Sequence, residues 1–291
     1  MADDVPPRPT DPASIRAGHI AAEEKIVRLT AEETVAVESG AIPSAVVSHE
    51  IIRRHGLGEL NRSAWALMWS GLSAGLVIGV SVIAKTVLQQ APIDGAAKLL
   101  LGGVGYSLGF VLVILGRMQL FTESTITAVL PVATNPSRKN VLDLVRLWSI
   151  VFAANMVGTF VFALAATHGG LPSDLHDGVV EVSRAIEHFT FGGAVVAGIP
   201  AGFLIAALVW IQPRLDGERL LAIVLITGLI DVGHFAHVIA GSAEAWVLAL
   251  AGETSFAAAA SFVAAAFIGN VLGGSFLFSL LAHAQVRSDQ S

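Results

Sequence analysis

Six apolar segments fill residues 64–283, and they decide what the rest of the chain can be. They run over 64–88, 98–132, 141–167, 189–211, 219–251 and 256–283. A helix crosses the hydrocarbon of a bilayer with ~20 apolar residues. Four segments fit one crossing each. The segments 98–132 and 219–251 are too long for a simple span, and each carries polar residues in its middle. Lipid offers no hydrogen bonds to the backbone, so spans of this kind must be helical. The expected fold is an all-α polytopic membrane protein with six transmembrane helices, the second and fifth of them broken.

Composition agrees. The 291 residues are 54% hydrophobic and 14% charged, against ~25% charged in a soluble globular chain. Residues 1–63 hold 17 of the 40 charged residues, so the body is poorer in charge than the total suggests. A formal net charge of −6 gives no footprint for nucleic acid. Cysteine is absent, which excludes disulfides, cysteine metal sites and thiol catalysis. Three regions are expected: a polar N-terminal tail over 1–63, a channel domain over 64–285 and a short tail over 286–291. Residues 1–12 have the proline and acid content of a disordered start. No cleavable signal peptide follows. Residues 45–62 read as a short amphipathic helix before the first span. Arg138, Lys139, Arg214 and Arg287 cluster in alternate loops and the C-terminal tail, which puts both termini in the cytoplasm.

The two halves repeat. GLSAGLVI at 71–78 matches GIPAGFLI at 198–205, and FAANMVGT at 152–159 matches FIGNVLGG at 267–274. These pairs join span one to four and span three to six, and the interrupted segments are spans two and five. An odd number of spans inverts the second copy. Inverted repeats with broken helices in matching places point to a transport path at the midplane. The pairs Gly71 and Gly75, Gly198 and Gly202, and Gly269 and Gly273 have the four-residue spacing that lets helices approach closely.

Both breaks hold ionisable groups. The first, 116–125, has Arg117 and Glu123; the second, 230–242, has Asp231, His234 and His237. Charge at membrane depth is costly and marks function by default. Arg117 and Glu123 could pair and hold the loop, or meet a permeant. A histidine in a broken helix can give or take a proton along a path. Metal binding by His234 and His237 lacks a third ligand at suitable spacing, and no metal or cofactor is expected. Half-helix N-termini at the breaks would favour a small anion.

These residues resemble the formate/nitrite transporter family. The resemblance rests on Tyr106 with Gly109-Phe110, Leu120-Phe121-Thr122, Phe235-Ala-His237 followed by Ile239-Ala240, and Asn270 with Gly273. It covers about residues 60–285. MQLFTESTITAVLPV, VRLWSIVF and LLAHAQVRSD are closer still to its divergent YfdC-like inner-membrane branch. The resemblance implies an aquaporin-like fold, a homopentamer in the bacterial inner membrane and one pore per protomer. It makes His237 the central pore histidine, and Thr122 matches the threonine of the loop in the second span. Phe110 and Leu120 match a cytoplasmic constriction, Tyr106 and Ile230 an outer one, and Asn155 and Asn270 the asparagines of the repeated helices. The chain departs where the family has an asparagine and a vestibule lysine: Gly202 and Ile186 stand there, with Arg184 and His188 near the latter.

The reading is a channel for small weak acids or their anions, of the formate, nitrite, acetate or lactate class, proton-linked through His237. A pore for small neutral solutes or water is an alternative, and a non-conducting membrane scaffold or sensor is another. No nucleophile–base or metal constellation suggests an enzyme.

Overall fold

A computed structural model describes residues 31, 32, 34, 35, 44–215 and 217–289. The expected disordered start at 1–12 and most of the polar tail lie outside the described residues. Among those described, the chain is all-helical. Helix α1 spans Ala45–Leu60, capped by the Ser44 side chain. Helices α2 (Ala64–Ile78) and α3 (Val80–Gln89) form one apolar rod hinged at Gly79. Helix α4 (Ala96–Leu115) follows, then a loop, then the short helices α5 (Phe121–Thr127) and α6 (Val129–Thr134). Helix α7 (Arg138–Thr167) is long; α8 (Ser173–Ser183) is short and polar. Helix α9 covers Phe191–Ile211, α10 Arg219–Val232 and α11 Val238–Ala251. Helix α12 (Phe256–Val271) widens into a π-helical stretch over Leu272–Ser279 and continues as α13 (Leu280–Asp289).

Five of these rods are long and apolar enough to cross a membrane: Ala64–Gln89, Ala96–Leu115, Arg138–Thr167, Phe191–Arg214 and Phe256–Ser288. The fifth apolar segment, 219–251, is divided between α10 and α11, each of 14 residues. Both long segments stop the same way. Helix α4 ends with Met118 N–H donating to the Val113 carbonyl, and α10 with Phe235 N–H donating to the Ile230 carbonyl. In each case the preceding residue, Arg117 or His234, has φ of 50°. That is a left-handed helix stop, usually given to glycine. Neither residue is glycine, so both stops carry local strain.

Close packing comes from small residues. Helix α2 lies along α7, and α9 along α12. A Cβ at Gly75 would run into the Asn155 backbone, and one at Gly202 into the Asn270 backbone. Helix α4 packs between α3 and α10. Trp65 and Trp69 remain exposed near the start of the first rod, where aromatic anchors sit at a membrane interface.

Candidate functional site

Two asparagines build the site. Asn155, on α7, accepts from the Phe121 N–H at 2.9 Å and donates to the carbonyls of Gly71 at 2.7 Å and Gln119 at 3.0 Å. Asn270, on α12, accepts from the Val238 N–H at 2.9 Å and donates to the carbonyls of Gly198 at 3.0 Å and Ala236 at 2.7 Å. Each side chain thus satisfies the backbone that a helix break leaves open. The neighbouring helices help: the Ser70 hydroxyl accepts from the Gln119 N–H, and the Ala197 carbonyl accepts from the Ala236 N–H. Both asparagines are fully buried, where unpaired backbone groups are expensive.

Between the breaks, Thr122 Oγ1 and His237 Nε2 are 2.9 Å apart. His237 is the N-cap of α11, and its Nδ1 accepts from the Ala240 N–H at 3.2 Å. An accepting Nδ1 leaves the hydrogen on Nε2, so Nε2–H donates to Thr122 Oγ1. The Thr122 hydroxyl hydrogen is then available to a third group. Thr122 is itself held by Thr125, whose hydroxyl donates to the Thr122 carbonyl at 2.7 Å. Phe110 sets its ring edge-on to His237 at 4.9 Å, and Tyr106 lies 5.2 Å beyond Phe110. Phe110, Leu120, Thr122 and His237 are at most 1% exposed, so this layer is sealed.

A vestibule opens on each side of the layer. On the α8 side, Tyr106, Ile186, Ile230, Asp231, His234 and His237 line it. On the α1 side, Arg117, Gln119 and Glu123 of the first break face Arg54, His55 and Arg219. The structure therefore brings Tyr106, Phe110, His237 and Thr122 into one series of contacts, with Ile230 beside Tyr106 and His237 in the same space and Leu120 buried at the start of α5. Phe121 turns away. Its ring stacks on Phe267 at 5.0 Å and meets Trp148 and Phe152 edge-on, so only its backbone belongs to the break. Gly202 has no side chain to offer because α9 and α12 touch there. Arg117 and Glu123 do not pair. Arg117 stays exposed, since its left-handed turn lies at the vestibule mouth where water solvates it. Glu123 lies beside Gln212 instead.

Two groups escaped the sequence reading. Glu59 of α1 accepts from Gln119 Nε2 at 2.7 Å and Thr127 Oγ1 at 2.6 Å, fastening the first break to the N-terminal helix. Lys85 of α3 donates from Nζ to Asp231 Oδ1 at 2.6 Å inside the α8-side vestibule. Lys85 is the one basic residue in the segment 64–88, and that isolation was the available signal. Arg184, near the missing lysine position, is bound to Glu253 at 2.8 Å.

The sequence model described as formate/nitrite transporter matches residues 46–284. The chain belongs to the formate/nitrite transporter family. The inner membrane protein YfdC of Escherichia coli is 36% identical over 260 residues, covering 88% of this chain and 84% of that one. The resemblance read from the motifs, to the family and to its YfdC-like branch, therefore holds. A formate channel, FocA of Haemophilus influenzae, is 26% identical over 191 residues, covering 62% and 66% of the two chains. Among solved structures, a pentameric formate channel with formate bound aligns with a TM-score of 0.61 at 23% identity, covering 76% of this chain and 97% of that one. An FNT family ion channel aligns with a TM-score of 0.69 at 20% identity, covering 87% and 99%. At these identities the two structures establish the fold. Formate/nitrite transporter family members are membrane channels and transporters, not enzymes.

Proposed function

We propose that the chain is a channel for small monovalent weak acids or their anions, of the formate, nitrite, acetate or lactate class, with the Thr122–His237 contact as the centre of its path. That buried contact, between two vestibules, is the observation that carries the reading. The hydrogen bonding of His237 is that of a neutral imidazole. It passes a donor to Thr122, whose hydroxyl faces the permeant. A bare anion crossing the Phe110 and Leu120 layer would lose its water, at a cost of several kcal/mol. The same molecule with a proton crosses far more cheaply, so transport is proton-linked.

The path belongs to a larger plan. The matched roles of Asn155 and Asn270, and of the stops at Arg117 and His234, support two inverted three-helix repeats, six spans in all, with helices two and five broken. Residues 64–285 would form this channel domain, between cytoplasmic tails at 1–63 and 286–291. The relative named as an inner membrane protein supports that location, and the neighbour described as pentameric supports a homopentamer.

Stopped-flow assays of proteoliposomes with formate, nitrite, lactate and glycerol at pH 5.5 and 7.5 test the reading. Weak-acid uptake by the wild type should rise at the lower pH, and His237→Phe should reduce it at least ~10-fold. Uptake that ignores both pH and the substitution would overturn the assignment.

A further inference from the structure

The α8-side vestibule carries a close-set group of charged side chains. Lys85 Nζ sits 2.6 Å from Asp231 Oδ1, with both side chains 8% exposed. The same ammonium lies 5.9 Å from the centre of the Tyr106 ring. Glu244, 6% exposed, lines this vestibule too. It follows His237 by seven residues on α11, with Gly241 between them. Two helical turns bring these three positions onto one face, and all three line the same space. Glu244 accepts no hydrogen bond among the described residues; its charged neighbours are Lys85 and Asp231.

The other elements facing this group add no cation. Helix α4 contributes Tyr106, α10 contributes Ile230 and Asp231, and α12 contributes Phe262. The turn after α8 presents Ala185 and Ile186, and the second break presents His234 and His237. Arg184 is bound to Glu253 and lies near Glu181 and Glu187. One ammonium therefore faces two carboxylates. Lys85 balances Asp231, and Glu244 is left over on the approach to His237.

We propose that Lys85, Asp231 and Glu244 form a charge filter that admits weak acids in their uncharged form and turns back the bare anions. The inference rests on the reading of His237 as the centre of the path. An anion near His237 meets the unbalanced Glu244 in a space of low effective dielectric, where unit charges repel strongly at close range. The neutral acid meets no such repulsion, and its O–H can donate to the Glu244 carboxylate. The lysine thus acts as the counter-ion of the filter rather than as bait for anions.

The test compares the wild type with Glu244→Gln, Asp231→Asn and the double variant, as full-length protein in liposomes and planar bilayers. Each amide keeps the shape of its carboxylate and removes one negative charge. Formate conductance reads the anion, and electroneutral uptake followed by an internal pH dye reads the acid. The ratio of anion to acid should rise at least ~10-fold for each carboxylate removed, the effect of a unit charge ~12 Å from the permeant at an effective dielectric of ~20. The double variant should then prefer the anion. Size-exclusion profiles check that each variant is folded, and if Glu244→Gln fails there, Asp231→Asn removes the same single charge. A ratio that stays constant in every folded variant, with acid uptake intact in the wild type, overturns the filter and leaves the channel standing. Wild-type protein that carries neither form overturns the proposed function.

Discussion

At the scale of residues, the two buried asparagines are the most exposed to test. Each amide closes one N–H and one carbonyl that a broken helix leaves behind, and ties them to a carbonyl of the neighbouring helix, Gly71 or Gly198. Lipid and packed side chains supply no replacement. Asn270→Ala would strand the Val238 N–H and the Ala236 carbonyl and cut the tie to Gly198 of α9, which costs roughly 3 kcal/mol. Asn270→Asp should be no better. It keeps the acceptor for Val238 but turns the donor toward two carbonyls into another acceptor. Thermal unfolding of the detergent-solubilised protein should show both variants well below the wild type, and Asn155→Ala lowered by a similar amount. A midpoint unchanged by either alanine would mean that water or a shifted backbone satisfies the breaks.

At the scale of elements, α1 is the helix whose seat depends on pH. His49 is 1% exposed, with its Nε2 3.0 Å from Nδ1 of His283 on α13 and its ring edge toward Trp210. Burial, with the neighbouring His283 ring adding to it, pushes the His49 pKa down to about 4. Undocked, the ring would titrate near 6.5. A histidine buried neutral contributes fully above ~6.5, and the contribution is lost as pH falls from there toward 4; the whole window is worth on the order of 3 kcal/mol. Protection factors over Ala45–Leu60, that is, exchange rates corrected for the base-catalysed intrinsic rate, should therefore be lower at pH 5 than at pH 7.5, and His49→Phe should remove most of that difference. Equal protection at both values would deny His49 the role. The same helix shows where sequence reading stops. The apolar helices and the family motifs around Thr122 and His237 were legible because length and motif are local; that the two side chains touch was not. Glu59 to Gln119, and Lys85 to Asp231, were not. Their partners lie 60 and 146 residues away, and a single charged residue in an apolar run names no partner. Arg117 and Glu123, six apart, suggested a pair that a left-handed turn at Arg117 keeps apart.

At the scale of the whole molecule, sidedness ties the path to its direction. The α1-side vestibule collects Arg54, His55, Arg62, Arg117 and Arg219 against Glu59 and Glu123, while the opposite face carries Asp174, Asp177, Glu181 and Glu253 against Arg184. Basic residues stay on the cytoplasmic side of inner-membrane proteins, so the basic vestibule should open to the cytoplasm and the Lys85 filter to the outside. The absence of natural cysteine makes this directly measurable. Lys139 and Asp177 are exposed on the two faces, with side-chain exposures of 55% and 87%. A membrane-impermeant maleimide should label Asp177→Cys in spheroplasts and Lys139→Cys only after the membrane is opened. The reverse pattern would put the filter on the cytoplasmic side. An anion leaving the cell would then meet Glu244 first, and uptake rather than export would enter through the basic vestibule.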